Sequence, residues 1–293
     1  MSSFGVNWIG EVMVKVSVPG KIILAGEHAV VYGYPAVVAS INRRLRVEAR
    51  LLEEDKVVIK DKYDDLGLSK FVVNECLKEV EGKYKGVEIM IESELPTTGG
   101  LGSSAALATG VVWAMLKDKN EEVKNQIVKK SEDFQHGKSS GVDQVIVREG
   151  GAMKYEKGKF DKFEVTNLEF ILIDSGRPEE STGEMVKQVA KGSYKKEFMR
   201  MGEIAKNWEV DLIEENQRLL EKIGVVGERA KKIVKEIKKI GGVAKVCGAG
   251  GVKSGSGIIL AYHQDSEGLI RLATTKGYPY YQVKLGDEGV SYE

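Results

Sequence analysis

Polar and apolar positions follow two regimes along the chain. Strand-like stretches come first along the chain, and the spacing of amphipathic helices dominates the later half. Residues 12–18 alternate and are rich in valine, which predicts a strand that Pro19-Gly20 ends. Apolar character resumes over 21–24, and Gly26-Glu27-His28 interrupts it before 29–32. Residues 36–41 and 45–51 predict two more strands. Residues 56–60 predict a short edge strand, and 86–92 another strand with Val87, Ile89 and Ile91 on one face. Helical spacing covers 66–80. The Ala/Val/Leu/Met-rich run at 105–116 predicts a buried helix. Residues 121–135 predict a helix charged on one side, with Val123, Ile127, Val128 and Phe134 available for packing. A hairpin is predicted over 153–163 around Lys157-Gly158.

The pattern restarts near 165–169. Residues 170–174 read as a buried strand. Charged helices are predicted over 184–191, 195–207, 210–223 and 226–240, with Gly241-Gly242 stopping the last. Short strands follow at 244–246 and 258–262, and one at 280–284 closes the chain. Strands first and helices later predict an α+β protein of two lobes with a cleft between them.

Composition narrows the function classes. The chain has 293 residues, 42% hydrophobic and 30% charged, enough to bury a sizeable core in two domains or one large one. Its 44 basic and 44 acidic residues cancel, which removes any broad attraction to nucleic acid or an anionic membrane. No apolar run approaches a membrane span, and Trp8, Glu11 and Lys15 break up a signal-peptide core. Cys76 and Cys247 lack metal-ligand spacing and read as reduced core thiols of a cytoplasmic protein. The three histidines, His28, His136 and His263, argue against a histidine-based metal site.

Candidate chemistry centres on Leu95-Pro-Thr-Thr-Gly-Gly-Leu-Gly-Ser-Ser-Ala-Ala-Leu107. A Gly-rich loop entering a helix N-terminus is an anion site, because orphan N–H donors and the helix dipole converge there. A Gly-Leu-Gly triplet alone reads as a turn before a core helix. Pro96 and the paired Ser103-Ser104 shift the longer string towards phosphate. It is not the common phosphate loop, Gly-x-x-x-x-Gly-Lys-Ser/Thr. The nearest match to that pattern, Gly137-Lys138-Ser139, has Glu132 where the first glycine belongs. Three other polar clusters stand out. Lys21 lies among Val18, Ile22 and Ile23, so its charge is either solvated at a bend or directed at a ligand. Glu132 by itself reads as a solvated helix residue, and Asp143 as a cap or turn residue. The second Gly-rich loop, 247–257, reads alone as flexible punctuation.

Together these motifs carry a resemblance. Pro19 to Gly33, with Gly-Glu-His-Ala-Val-Val-Tyr-Gly inside it, resembles the first motif of the mevalonate kinases. Pro96 to Ala106 resembles the phosphate loop of the wider GHMP kinases. His136-Gly-Lys-Ser-Ser-Gly-Val-Asp143 resembles the motif bearing the catalytic aspartate, and Cys247 to Gly257 the third, Gly-rich motif. The order of motifs is the family's. The resemblance implies a two-lobed GHMP kinase fold of class α+β. Its N-terminal lobe (1–166), which binds ATP, is like domain 2 of ribosomal protein S5, and its C-terminal lobe (167–293) is ferredoxin-like. It assigns Lys21 and Asp143 to catalysis, and Pro96, Gly99, Gly100, Leu101, Gly102, Ser103, Ser104 and Ala105 to the ATP phosphates. Ser104 and Glu132 would hold Mg²⁺, and Glu27, His28, Ser140 and Thr182 would lie on the substrate side.

The implied activity is ATP-dependent phosphorylation of mevalonate to 5-phosphomevalonate. The alternatives are another GHMP kinase, acting on phosphomevalonate or homoserine, and a catalytically dead sensor. A dead sensor need not keep Lys21, Ser104, Glu132 and Asp143 together. The implied partners are mevalonate and ATP, with Mg²⁺ as cofactor and neither nucleic acid nor membrane; a homodimer is allowed. One departure stands out. Val252-Lys253-Ser254 interrupts the run of glycines usual in the third motif, which bears on how that loop closes.

Overall fold

Strand β1 (Val14–Ala25) runs straight through the predicted stop at Pro19-Gly20. Its partner β2 (Ala36–Leu52) is likewise one strand of 17 residues where two were expected. The reason lies in the pairing. Pro19 faces Arg44 and Gly20 faces Ile41, so residues 42 and 43 form a bulge in β2. The Arg44 main chain bonds Glu94 on its other side, so β2 has no need of the missing proline N–H. The structure, a computed structural model, describes residues 13–61, 66–96, 99–136, 141–165 and 168–293.

The chain then adds β3 (Val57–Asp61), helix α1 (Leu66–Leu77) and β4 (Gly86–Ser93). β3 is the expected edge strand and pairs with β4 in parallel. Helices α2 (Ser103–Met115), α3 (Glu121–His136) and α4 (Val142–Glu149) follow. The hairpin β5 (Ala152–Glu156) and β6 (Lys159–Lys162) turns at Lys157 and Gly158, both with positive φ, as a tight two-residue turn requires. α2 packs on β1 and β2 with α1, α3 and α4 around it. It is buried all round from Ala105 to Met115, matching its unbroken apolar run. Phe134 differs from its predicted role. It is exposed and stacks on Phe71 at 4.3 Å between ring centroids.

The second sheet begins at β7 (Glu169–Asp174). Helices α5 (Thr182–Val189), α6 (Lys195–Lys206), α7 (Ile213–Lys222) and α8 (Glu228–Lys239) lead to β8 (Val243–Val246) and β9 (Ile258–Tyr262). Helix α9 (Ser266–Lys276) and β10 (Tyr280–Lys284) complete it. The order β10-β7-β9-β8, all antiparallel, is the ferredoxin-like arrangement. β7 is buried on both faces: Phe170 and Leu172 join the core of the first sheet, whereas Ile171 and Ile173 face the helices. That double burial explains the strand's continuous apolar run.

Three elements escaped the sequence pattern. α4, eight residues long, places Asp143 inside a helix where a cap or turn residue was expected. α9 buries only Leu269 and Ala273, too few positions to show a period. The chain also does not close at β10. A two-residue strand, β11 (Ser291–Tyr292), returns to pair with β1. Arg44 anchors this return, donating to Asp287 Oδ2 at 2.5 Å and to the carbonyls of Glu288 and Gly289 at 3.0 and 2.8 Å. Among the described residues no helix is long and apolar enough to cross a membrane.

Candidate active site

Lys21 follows the β-bulge, and its main-chain N–H donates to the Leu101 carbonyl at 2.9 Å. Strand β1 is thereby tied to the Gly-rich loop that begins α2. The side chain is 4% exposed and its Nζ lies 3.1 Å from Asp143 Oδ2. Its aliphatic stem lies over Gly102, which takes a left-handed conformation, φ 70°, as N-cap of α2. A methyl group at that position would stand 2.7 Å from Lys21 Cγ and 2.8 Å from Cε. Glycine is therefore required at 102 twice, by the backbone and by the lysine. Gly102→Ala is expected to lose about 1–2 kcal/mol from the left-handed backbone alone. It should also lower turnover by displacing Lys21 from Asp143. Steady-state kinetics with thermal melting check this, and wild-type turnover in the variant would show that the lysine stem yields without consequence.

The loop's geometry can receive an anion. Gly99 and Gly100 have φ of 91° and 96°, and Pro96 and Leu101 are buried beneath. The first helical bond of α2 runs from Ala106 N–H to Gly102 O. The N–H groups of Ser103, Ser104 and Ala105 thus precede the ladder, at the positive end of the helix. Ser103 is exposed and Ser104 half-buried. Cys247 and Gly248 of the second Gly-rich loop lie directly on Gly100. A Cβ on Gly100 would meet Cys247 O at 3.0 Å, and one on Gly248 would meet Gly100 Cα at 3.0 Å. Cys247 is buried and unpaired, its thiol pushed up to about 11 by burial.

Glu132 projects from α3 into the same region and is 3% exposed. Burial, then the negative charge of Asp143, raises its carboxyl to about 7; a hydrogen bond with Ser104 and the charge of Lys21 oppose the rise. Its Oε1 is buried without a hydrogen-bond partner. Asp143 stands in the first turn of α4 after Gly141, which has φ 78°. Four elements, β1, α2, α3 and α4, thus bring Lys21, Ser104, Glu132 and Asp143 together.

The remaining sequence candidates sit differently. Glu27 is buried, in an ion pair with Lys245 of β8, and accepts from Asn216 Nδ2 at 3.2 Å. His28 has a left-handed backbone, φ 57°, and its Nε2 is 3.0 Å from the Ala249 carbonyl. Burial holds its imidazole below its ordinary value. Thr182 is exposed at the first position of α5, where the bonds are those of a capping box between Ser181 and Glu184. Ser140 lies outside the described residues. Lys245 and Asn216 were missed by sequence reasoning. The available signal was a charged residue inside the short apolar strand Ala244-Lys-Val246.

The departure at Val252-Lys253-Ser254 forms an outward bend with a closed base. Ser254 Oγ donates to Arg177 O at 2.9 Å. Ser256 Oγ donates to Gly251 O at 2.7 Å and accepts from Gly227 N–H at 2.9 Å.

Residues 68–151 match the family described as GHMP kinases N terminal domain. The mevalonate kinase of Archaeoglobus fulgidus is 35% identical over 260 residues, covering 80% of this chain and 88% of that protein. That of Thermococcus sibiricus is 30% identical, covering 96% of this chain and 98% of that protein. Among solved structures, the Methanococcus jannaschii mevalonate kinase superposes with a TM-score of 0.81 at 22% identity, covering 96% of this chain and all of that one. With relatives this similar along nearly its whole length, and with the family's motifs gathered from four elements around one ion pair, the chain belongs to the mevalonate kinases, within the GHMP kinases.

Proposed function

We infer that this chain transfers the γ-phosphoryl group of ATP to the 5-hydroxyl of mevalonate. The observation that carries the reading is the Lys21–Asp143 ion pair set beside the N-terminus of α2. Phosphoryl transfer depends on positioning and on neutralising phosphate charge rather than on covalent chemistry by the protein. The N–H groups at Gly99 to Ala105 bind the phosphates, and the α2 dipole adds to them. Asp143 Oδ2 takes the proton of the attacking hydroxyl, and the Lys21 ammonium, 3.1 Å away, orients that carboxylate.

The donor set fits Mg²⁺. Ser104 and Glu132 offer hard oxygen ligands, and the partnerless buried Oε1 of Glu132 is an acceptor in want of a cation. Ser104 and Glu132 would hold the ion, which when bound neutralises charge on the ATP phosphates. Glu27 and His28, whose polar atoms are engaged by Lys245, Asn216 and Ala249, shape the substrate wall from behind. Thr182 and Ser140 are assigned to the substrate side on the motif match alone.

A coupled ADP-release assay across mevalonate, phosphomevalonate, homoserine and galactose tests the reading. Mevalonate is expected to give a kcat/KM at least about tenfold above the others, a discrimination of about 1.4 kcal/mol. Faster turnover with phosphomevalonate or homoserine would move the chain to another branch of the superfamily.

A further inference from the structure

The second Gly-rich loop leaves β8 after Val246, next to Lys245, a lysine with 0% exposure. Removing an ammonium from water costs several kcal/mol unless a counter-charge and acceptors replace its hydration. Here Nζ donates to the Glu27 carboxylate and, at 2.8 Å, to the Ile23 carbonyl. Glu27 is itself 1% exposed, and its second oxygen is taken by Asn216 of α7.

The placement of these partners is specific. Ile23 lies on β1, two residues beyond Lys21. Glu27 opens the turn that carries His28, and His28 reaches the Ala249 carbonyl. Cys247 and Gly248, between Lys245 and Ala249, rest on Gly100. Lys245 therefore binds at once the strand that supplies the active lysine and the turn that grips the second loop. Its bonds go to Glu27 and Ile23, so any effect on the reaction passes through other residues.

We propose that the buried Lys245–Glu27 pair is a positioning device for phosphoryl transfer. It locks the 247–251 loop and the Gly99–Gly102 loop in one relative setting across the two sheets, so that acceptor and phosphate meet in line. The proposal rests on the kinase reading above. Misplacement by about 1 Å, far from the chemistry, can cost roughly 10²-fold in rate.

The test uses the asymmetry of buried ion pairs. Losing one partner strands a charge and is strongly destabilising, whereas replacing both is often neutral. Lys245→Met alone is expected to lower the melting temperature sharply, and Glu27→Gln with Lys245→Met to recover most of the loss. In the folded double variant, kcat on mevalonate should fall about 10- to 100-fold. The calorimetric Kd for ATP, whose phosphate loop neither residue bonds, should stay near wild type. Amide hydrogen exchange over 247–251 should speed up, reporting a loosened loop. A double variant with wild-type kcat and wild-type exchange overturns the proposal, and so does a loss of kcat and ATP affinity in parallel. If the wild-type protein releases no ADP with mevalonate, the kinase reading fails on its own. Exchange over 247–251 still decides the positioning role: protection kept in the double variant overturns it, and protection lost upholds it.

Discussion

Replacing Asp143 by asparagine should lower turnover by about 10²–10⁴, the usual worth of general-base help. Asparagine is nearly isosteric but cannot take the hydroxyl proton. ATP affinity should stay close to wild type on the proposed reading, in which residues 99–105 and not α4 hold the phosphates. A stability change is also expected. Lys21 is 4% exposed and 3.1 Å from Asp143 Oδ2, so the variant leaves a buried ammonium without its counter-charge. Asp143 in addition favours the N-terminus of α4 through the helix dipole, a term of about 0.3–1 kcal/mol. Melting temperature alone therefore cannot separate a catalytic Asp143 from a structural one. Turnover, ATP affinity and melting measured on one preparation can. Near-normal turnover in a protein that melts early would end the catalytic assignment.

The sequence reading succeeded where the physics is local. The alternating stretch at 86–92 became β4, and the apolar run at 105–116 became the buried α2. It failed where a partner strand decides. Nothing in Pro19-Gly20 reveals that residues 42 and 43 bulge opposite it and let β1 continue. Nor does a two-residue strand at 291–292 carry any period, since Arg44 fixes it from far away in sequence.

The site shows the same division. A Gly-rich loop entering a buried helix was legible from Gly99 to Gly102 and the apolar run behind them. Gathering Lys21, Ser104, Glu132 and Asp143 into one place needed the resemblance, because no spacing links four separate elements. For Glu27 and His28, residues that read locally as a polar turn are bonded to Lys245 and Ala249, more than 200 positions away. The apolar setting of Lys245 was visible in the sequence, but the burial that makes it costly, and so informative, is tertiary.

Glu132 by itself should make the ligand-free protein less stable as pH rises from about 4.5 to 7, against the opposite contribution of His28, whose lowered imidazole favours the folded state as pH rises. The Glu132 carboxyl keeps its proton up to about 7 in the folded state, against an ordinary value of 4.5. Between those values this group binds more protons in the folded state than in the unfolded chain, so its contribution to stability falls with rising pH and levels off above the folded value. At 1.36 kcal/mol per unit the full effect is about 3 kcal/mol, for a side chain with little solvent to screen it. Glu132→Gln has no proton to lose and leaves the neighbouring Asp143 without a second negative charge. The variant should therefore melt several degrees above wild type at pH 8 without ligands, and the difference should vanish towards pH 4.5. Function should move the opposite way. The amide cannot offer a charged oxygen to Mg²⁺, so Mg·ATP use should weaken much more than mevalonate binding. Mg·ATP should then raise the melting temperature of the wild type and do little for the variant. Thermal melts of both proteins across pH, with and without Mg·ATP, read out each term. An unchanged Mg²⁺ dependence would remove Glu132 from the metal site, and a stability gain independent of pH would show that the variant acts through packing and not through charge.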